Sequence, residues 1–164
     1  MILCETTIHS QMAPTRAFDY LADMTNTAEW HPSILESHLL HGHAGLRGAA
    51  YGMVATVGPM RLRTQIQVVE LARPDRFAYI ATTRLHRSRH ELTFSPRAGG
   101  VEVRTESRFS VLAAISWALP LFRAYLTRYC NRSAASLHAT LGSQLAPGPT
   151  WIPGGVGRAH TGSR

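Results

Sequence analysis

The sequence contains no lysine, only two cysteines and no apolar run long enough to cross a membrane. Two cysteines, Cys4 and Cys130, are too few for a disulfide framework, so we expect two reduced thiols in a cytoplasmic protein. The longest apolar stretch, 111–122, is short and is interrupted by Ser116 and Pro120. A spanning helix needs about 20 apolar residues, so we expect no transmembrane helix and no stable membrane association.

All 17 basic residues are arginine, and with 10 acidic residues they give a formal net charge of +7. The arginines are scattered, and many of them alternate with acids on the predicted outer faces of strands. The sequence has no basic cluster interleaved with aromatic residues, which is the pattern typical of nucleic-acid surfaces. We therefore expect no nucleic-acid partner.

Three histidines, His38, His41 and His43, lie close together in the sequence. An offset of three places His38 and His41 on opposite faces of a strand, and no acid or cysteine accompanies them at ligand spacing. The chain also has no glycine-rich phosphate loop and no nucleophile elbow. These observations predict neither a metal site nor an organic cofactor.

A long amphipathic helix is predicted over Pro120–Leu141, because apolar residues recur there at spacings of three and four. Proline is favoured at the first helical position, and Gly142 stands where a C-cap glycine belongs. The predicted apolar stripe consists of Leu121, Phe122, Tyr125, Leu126, Tyr129, Cys130, Ala134, Leu137 and Leu141.

The residues before this helix predict a sheet with two short helices after its first strand. Strand 1 is predicted over Ile2–Ser10, a short helix begins at Pro14, and a second short helix carries Trp30. Short connections require antiparallel hairpins. The remaining strands are predicted over Ile34–His41, Ala50–Val57, Met60–Leu71, Phe77–Thr83, Arg87–Ser95 and Val101–Phe109. We thus predict an α+β domain over residues 1–143, and a Pro/Gly-rich tail over 144–164 that is disordered or loosely attached.

Alternation along the strands predicts an inner face that is mostly apolar but carries a few polar groups. These inward groups are Thr64, His90, Thr105 and Ser107. Buried hydroxyls and imidazoles cost free energy unless they are paired. The pattern favours a cavity holding water or ligand, with the alternative that each hydroxyl bonds a local carbonyl.

Several segments resemble the polyketide cyclase/dehydrase-like proteins of the START-like (SRPBCC) superfamily. The run from Ala13 to Asp23 and the segment Glu29-Trp30-His31-Pro32 resemble their opening, where two short helices end in tryptophan before proline. Gly48 followed by Tyr51, residues 70–77 and residues 99–103 resemble their later strand entry and hairpins. The resemblance covers 2–142 and implies a helix-grip fold, a seven-stranded antiparallel sheet curled around the C-terminal helix with a deep apolar cavity.

The resemblance implies a hydrophobic, polyketide-like small molecule as partner. Members of the family bind lipids, polyketides, sterols or plant hormones, and some are aromatases or cyclases. We therefore expect cyclisation or dehydration in natural-product biosynthesis without a cofactor. The alternatives are a non-catalytic carrier or sensor of a lipid-like ligand, and an interaction module that works through its outer surface. The sequence leaves open whether the chain forms a homodimer.

The inward residues provide candidates for the chemistry of cyclisation. His90 is the candidate for proton transfer because imidazole titrates near neutrality, and Tyr51 and Tyr125 are candidate donors to a developing oxyanion. No inward carboxylate pairs with His90, so cyclisation driven by shape alone stays open, and His31 is expected to face solvent. The expected ligand-binding residues are Trp30, Met53, Leu62, Thr64, Ile66, Tyr79, Leu92, Val103, Thr105, Ser107, Phe122 and Tyr129.

Overall fold

A computed structural model describes residues 2–57, 59–111 and 119–142 of the chain. Within these ranges, seven strands form one antiparallel sheet in the order β1-β7-β6-β5-β4-β3-β2. The strands are β1 Ile2–Ser10, β2 Ile34–His41, β3 Ala50–Val57, β4 Met60–Ala72, β5 Arg76–Thr82, β6 His86–Arg97 and β7 Gly100–Val111. The helices are α1 Pro14–Ala22, α2 Thr27–Trp30, which follows a 3-10 turn at Met24–Asn26, and α3 Leu119–Gly142.

The predicted order of elements is confirmed, because the local signals agree with the tertiary packing. Leu126, Cys130, Ala134, Leu137 and Leu141 are the buried stripe of α3, at spacings of three and four. No helix within the described ranges is long and apolar enough to span a membrane. The predicted tail at 144–164 lies outside the described residues.

The predicted end of β6 at Ser95 is wrong, since the strand continues through Pro96, which pairs with Val101 of β7. The N–H of Phe94 points toward β5 and donates to the carbonyl of Asp75 at 2.8 Å. The nitrogen of Pro96, two residues further on, points the same way, beyond the end of β5. A proline at this position therefore removes no ladder hydrogen bond.

The core is built where α1 and α3 cover the inner face of the sheet. Phe18 of α1 packs on Phe94 and Phe77, with ring centroids 5.1 and 6.5 Å apart. Helix α3 packs along β1, and the Ser10 hydroxyl donates to the carbonyl of Leu141 at 3.3 Å. These contacts fill one end of the space between sheet and helix and leave the middle for the site described below.

Gly100 in the β6–β7 hairpin is required by a close approach of the backbone of β1. Its φ is +158°, and a Cβ there would lie 1.9 Å from the carbonyl oxygen of Ser10. The neighbouring Gly99 has a φ of +81° but open space around its Cβ position. We therefore expect Gly100→Ala to lower the free energy of unfolding by about 3 kcal/mol, and Gly99→Ala by only about 1 kcal/mol.

Urea unfolding of the two glycine variants beside the unmodified protein measures this difference. Equal losses would show that β1 moves away easily and that the close approach at Gly100 is unimportant.

Candidate functional site

An internal cavity of about 150 Å³ lies between the curled sheet, the short helices and α3. It forms because several inner positions carry small side chains where a filled core would carry large ones, among them Ala55, Ala81 and Ala134. Most of the wall is apolar, and its larger apolar side chains include Trp30, Met53, Leu62, Ile66, Leu92 and Phe109. A mostly apolar wall with a few polar groups is the usual make-up of a ligand site.

One polar cluster in the cavity is a row of neighbouring residues on three strands. His90 of β6 pairs across the sheet with Tyr79 of β5 on one side and with Ser107 of β7 on the other. The Tyr79 ring stacks on the imidazole, with centroids 4.7 Å apart and planes 16° apart. His90 Nδ1 lies 2.8 Å from Ser107 Oγ, and Nε2 lies 2.9 Å from Ser88 Oγ. Both ring nitrogens are therefore hydrogen-bonded to serine hydroxyls.

Burial lowers the pKa of His90 to about 3, and nearby His31 and His86 act in the same direction. The expectation that His90 titrates near neutrality is therefore wrong, since its environment disfavours the charged imidazole. In the neutral ring one nitrogen donates and the other accepts a hydrogen bond. Ser88 and Ser107 must then take opposite roles, and the three side chains form a hydrogen-bonded chain with no net charge.

A second polar cluster ties the segment after α2 to helix α3 through His31. The backbone N–H of Ser33 donates to His31 Nδ1 at 3.3 Å, so the neutral ring carries its proton on Nε2. Nε2 lies 2.8 Å from Ser133 Oγ, and that hydroxyl donates to the carbonyl of Tyr129 at 2.9 Å. His31 is only 6% exposed, and burial lowers its pKa to about 4. The expectation that His31 faces solvent is therefore wrong.

Two tyrosine hydroxyls on the cavity wall can donate hydrogen bonds to a ligand. Tyr79 and Tyr129 both line it, and neither hydroxyl has a hydrogen-bond partner among the described residues. Every fully enclosed side-chain nitrogen or oxygen within the described ranges has a partner, so these two hydroxyls keep surface that is open to the cavity. Burial raises the pKa of both phenols well above the usual range, and Tyr79 raises the pKa of Tyr129 further. Both are therefore neutral hydrogen-bond donors.

The cavity brings together most of the residues that the alternation placed inward. The predicted residues that line it are His90, Tyr125, Trp30, Met53, Leu62, Thr64, Ile66, Tyr79, Leu92, Thr105, Ser107 and Tyr129. The side chain of Phe122 lies outside the described ones.

Two predicted residues, Tyr51 and Val103, do not line the cavity. Tyr51 is fully buried, and its hydroxyl accepts the backbone N–H of Gly45 at 3.0 Å. It therefore braces the loop before β3, and because it lies off the cavity wall it cannot donate to an oxyanion there. Val103 is buried beside Phe94, its neighbour across the β6–β7 ladder, at the end of the sheet that α1 covers.

Three polar residues of the site, Ser88, His31 and Ser133, are missing from the predicted set. Ser88 has a signal in the sequence, because it lies two residues before His90 on the same strand face. His31 and Ser133 have none, since they meet only through the packing of α2 on α3. The described residues contain no group of three or more His, Cys, Asp or Glu side chains placed to hold a metal ion.

The sequence matches the profile of the family described as polyketide cyclase / dehydrase and lipid transport over residues 1–142. No curated protein matches it. Among solved structures, a START superfamily protein from Mycobacterium smegmatis is similar with a TM-score of 0.75 and 11% identity, covering 89% of this chain and 100% of that one. The Zhui aromatase/cyclase from Streptomyces sp. R1128 has a TM-score of 0.72 and 14% identity, covering 85% and 92%. At these identities the likeness shows the helix-grip fold.

Proposed function

The chain belongs to the polyketide cyclase / dehydrase and lipid transport family, and from that premise we propose that it binds a hydrophobic small molecule in its internal cavity. The observation that carries this proposal is the cavity between sheet and helices, which has mostly apolar walls and a few polar side chains. We further propose that the bound molecule is polyketide-like and is cyclised or dehydrated there. A structural neighbour named as an aromatase/cyclase supports this finer proposal.

The chemistry would rest on position and on neutral hydrogen bonds. The cavity holds a flexible chain in one folded conformer, which brings a carbon nucleophile close to a carbonyl. Tyr79 and Tyr129 donate hydrogen bonds to the oxygen that becomes negative during enolisation, and Tyr125 is a third candidate donor on the wall. In the trio of Ser88, His90 and Ser107, one serine hydroxyl takes the proton that the ligand loses on enolisation. The other returns a proton to the ligand oxygen that becomes the new hydroxyl or leaves as water, and His90 exchanges the proton between them.

A second candidate function is transport or sensing of a lipid-like ligand without turnover. The observation in its favour is the environment of His90, which lowers its pKa to about 3 and makes it a weak base. Both of its nitrogens are already bonded to serines. Because His90 is a weak base and both of its nitrogens already make hydrogen bonds, it fits a binding site that only orients a ligand.

The binding proposal is tested by native mass spectrometry of freshly purified protein, in which the native mass is compared with the mass after denaturation. We expect a surplus mass of one small organic molecule that disappears on denaturation. If that molecule is released and rebinds unchanged, the carrier function is favoured. If it is converted to a product that has lost water or closed a ring, the enzymatic function is favoured. Absence of any surplus, together with failure to bind hydrophobic probes, would refute the proposed function.

Replacing Ala134 with leucine is expected to weaken ligand binding by about ten-fold or more, because the added methyl groups occupy the cavity. The matched control is Ala135→Leu, one residue further along α3, where the side chain is exposed. Both variants should unfold at temperatures close to that of the unmodified protein. Equal affinities for the two variants would place the ligand outside this cavity.

A further inference from the structure

The two cysteines of the chain, Cys4 and Cys130, meet at one place in the fold. Cys4 lies on the edge strand β1 and Cys130 lies on α3, and the Cys130 thiol donates a hydrogen bond to the sulfur of Cys4. Cys130 is part of a small buried cluster, and Cys4 packs against that cluster. Two thiols from opposite ends of the sequence are therefore in contact, and the proposed chemistry uses neither of them.

A second contact shows that this meeting follows from the way β1 and α3 lie side by side. At the other end of the strand, the Ser10 hydroxyl donates to the carbonyl of Leu141 at 3.3 Å. The six residues of strand from Cys4 to Ser10 span about 20 Å. The eleven residues of helix from Cys130 to Leu141 span about 16 Å. The two contacts fit one parallel alignment of strand and helix, so the packing of α3 on β1 holds the thiols together.

Both cysteines also line the cavity, where a small molecule can reach them. Cys4 is partly buried, whereas Cys130 is only 8% exposed. Across the β1–β7 ladder Cys4 pairs with Ser107, the residue that bonds His90. The thiol pair therefore extends the polar row of the wall to the edge strand.

The two thiols are suited to different steps of an oxidation. The thiolate is the form of cysteine that attacks an oxidant. The hydrogen bond from Cys130 lowers the pKa of Cys4, whereas the same bond, together with burial, raises the pKa of Cys130. Cys4 is therefore the first thiol to react, and Cys130 stays in contact with it to react second.

We infer that Cys4 and Cys130 are a redox site of the cavity, at which hydrogen peroxide converts the two thiols into a disulfide between β1 and α3. The Cys4 sulfur attacks a peroxide oxygen, the O–O bond breaks, and the products are a sulfenic acid on Cys4 and one water. The Cys130 sulfur then attacks the Cys4 sulfur, the S–O bond breaks, and the hydroxyl leaves as water with the Cys130 proton. Two thiols are oxidised, and one peroxide is reduced to two waters.

The disulfide has consequences for the stability of the fold and for the cavity. Ser10 already ties the end of α3 to β1, and the disulfide adds a covalent tie near the middle of the helix. It closes a loop that contains most of the chain, so it strongly restricts the unfolded state. A ligand that fills the cavity covers both sulfurs and slows their oxidation, a point that rests on the proposed binding function.

The site is tested by treating the reduced protein with hydrogen peroxide and then alkylating it with iodoacetamide under denaturing conditions. We expect two alkylated cysteines before treatment and none after it. A digest of the oxidised monomer should contain one peptide pair joined through Cys4 and Cys130. The oxidised protein should unfold about 5–15 °C above the reduced protein, and dithiothreitol should reverse the change.

The variants Cys4→Ala and Cys130→Ala are the matched controls, because each keeps one thiol. Neither should gain thermal stability on peroxide treatment. In Cys130→Ala the sulfenic acid on Cys4 should persist and react with dimedone, and Cys4→Ala should give at least about five-fold less adduct. Circular dichroism shows whether each variant is folded, and the joined peptides of the unmodified protein decide the matter if a variant is not.

Shielding by a ligand is tested with N-phenyl-1-naphthylamine, a neutral hydrophobic probe whose fluorescence reports binding. We expect the saturated protein to form the disulfide at least about five-fold more slowly than the empty protein, because the probe covers the sulfurs. Disulfide formation at an equal rate with the probe bound would overturn the connection between the redox site and the cavity.

The remaining outcomes separate the redox site from the proposed function. Peroxide that oxidises each thiol separately, or that joins cysteines only between two chains, would overturn the inference and leave the binding function in place. If the probe does not bind but the disulfide forms within one chain, the redox site is supported and the result counts against the binding proposal.

Discussion

His90→Phe is expected to reduce turnover by about 100-fold or more, while the affinity for the ligand changes only a few-fold. The phenyl ring keeps the stacking on Tyr79 and the edge contact with Phe109, but it cannot exchange protons with Ser88 and Ser107. Turnover is measured on the uncyclised precursor of the ligand recovered from the native protein, with affinity determined separately. A loss of affinity as large as the loss of turnover would mean that His90 shapes the cavity rather than moving protons.

The pH dependence of turnover gives a second readout on His90. Because its pKa is lowered to about 3, the ring stays neutral from pH 5 to 8, and we expect no limb near pH 6.5 in the profile of kcat/KM. The exposed His41→Gln variant is the matched control and should behave as the unmodified protein does. A limb near pH 6.5 that disappears in His90→Phe would show that the ring titrates in the free enzyme, and would contradict proton exchange by a neutral His90.

Mild acid is the second condition with a large expected effect, because the fold holds His31 and His90 in their neutral forms. An unfolded histidine has a pKa of about 6.5, whereas burial lowers the pKa to about 4 for His31 and to about 3 for His90. Below pH 6.5 the unfolded chain takes up protons that the folded chain does not. The free energy of unfolding should therefore fall by up to about 1.4 kcal/mol per pH unit for each histidine.

The pH range over which the free energy of unfolding falls follows from the same pKa values. No loss from these groups is expected above pH 6.5, and the contribution of His31 ends near pH 4 while that of His90 continues toward pH 3. Urea unfolding at several pH values between 7 and 5 avoids most of the titration of carboxylates. The double variant His31→Gln/His90→Gln should flatten the dependence, and His41→Gln should not. A dependence that is equally steep in the double variant would show that other groups cause it.

Local sequence patterns are enough to predict the order of elements and the inner face of each strand. A strand alternates with a period of two, so a local pattern is enough to place Thr64, His90, Thr105 and Ser107 inward, and the structure finds all four on the cavity wall. Short turns leave only antiparallel pairing between neighbouring strands. Both are properties of local backbone geometry, so the sequence of one chain is enough to predict them.

Which of the inward residues line the cavity depends on how the helices and loops pack on the sheet. Tyr51 and Val103 lie on the correct faces, but the loop at Gly45 and the helix α1 cover their ends of the sheet. His31 lies just after α2, where no period applies, and it is buried because α3 packs against it through Tyr129 and Ser133. The lowered pKa of His90 likewise reflects burial by groups distant in sequence. Packing between elements determines how exposed each side chain is and how far burial shifts its pKa. No local sequence pattern contains that information.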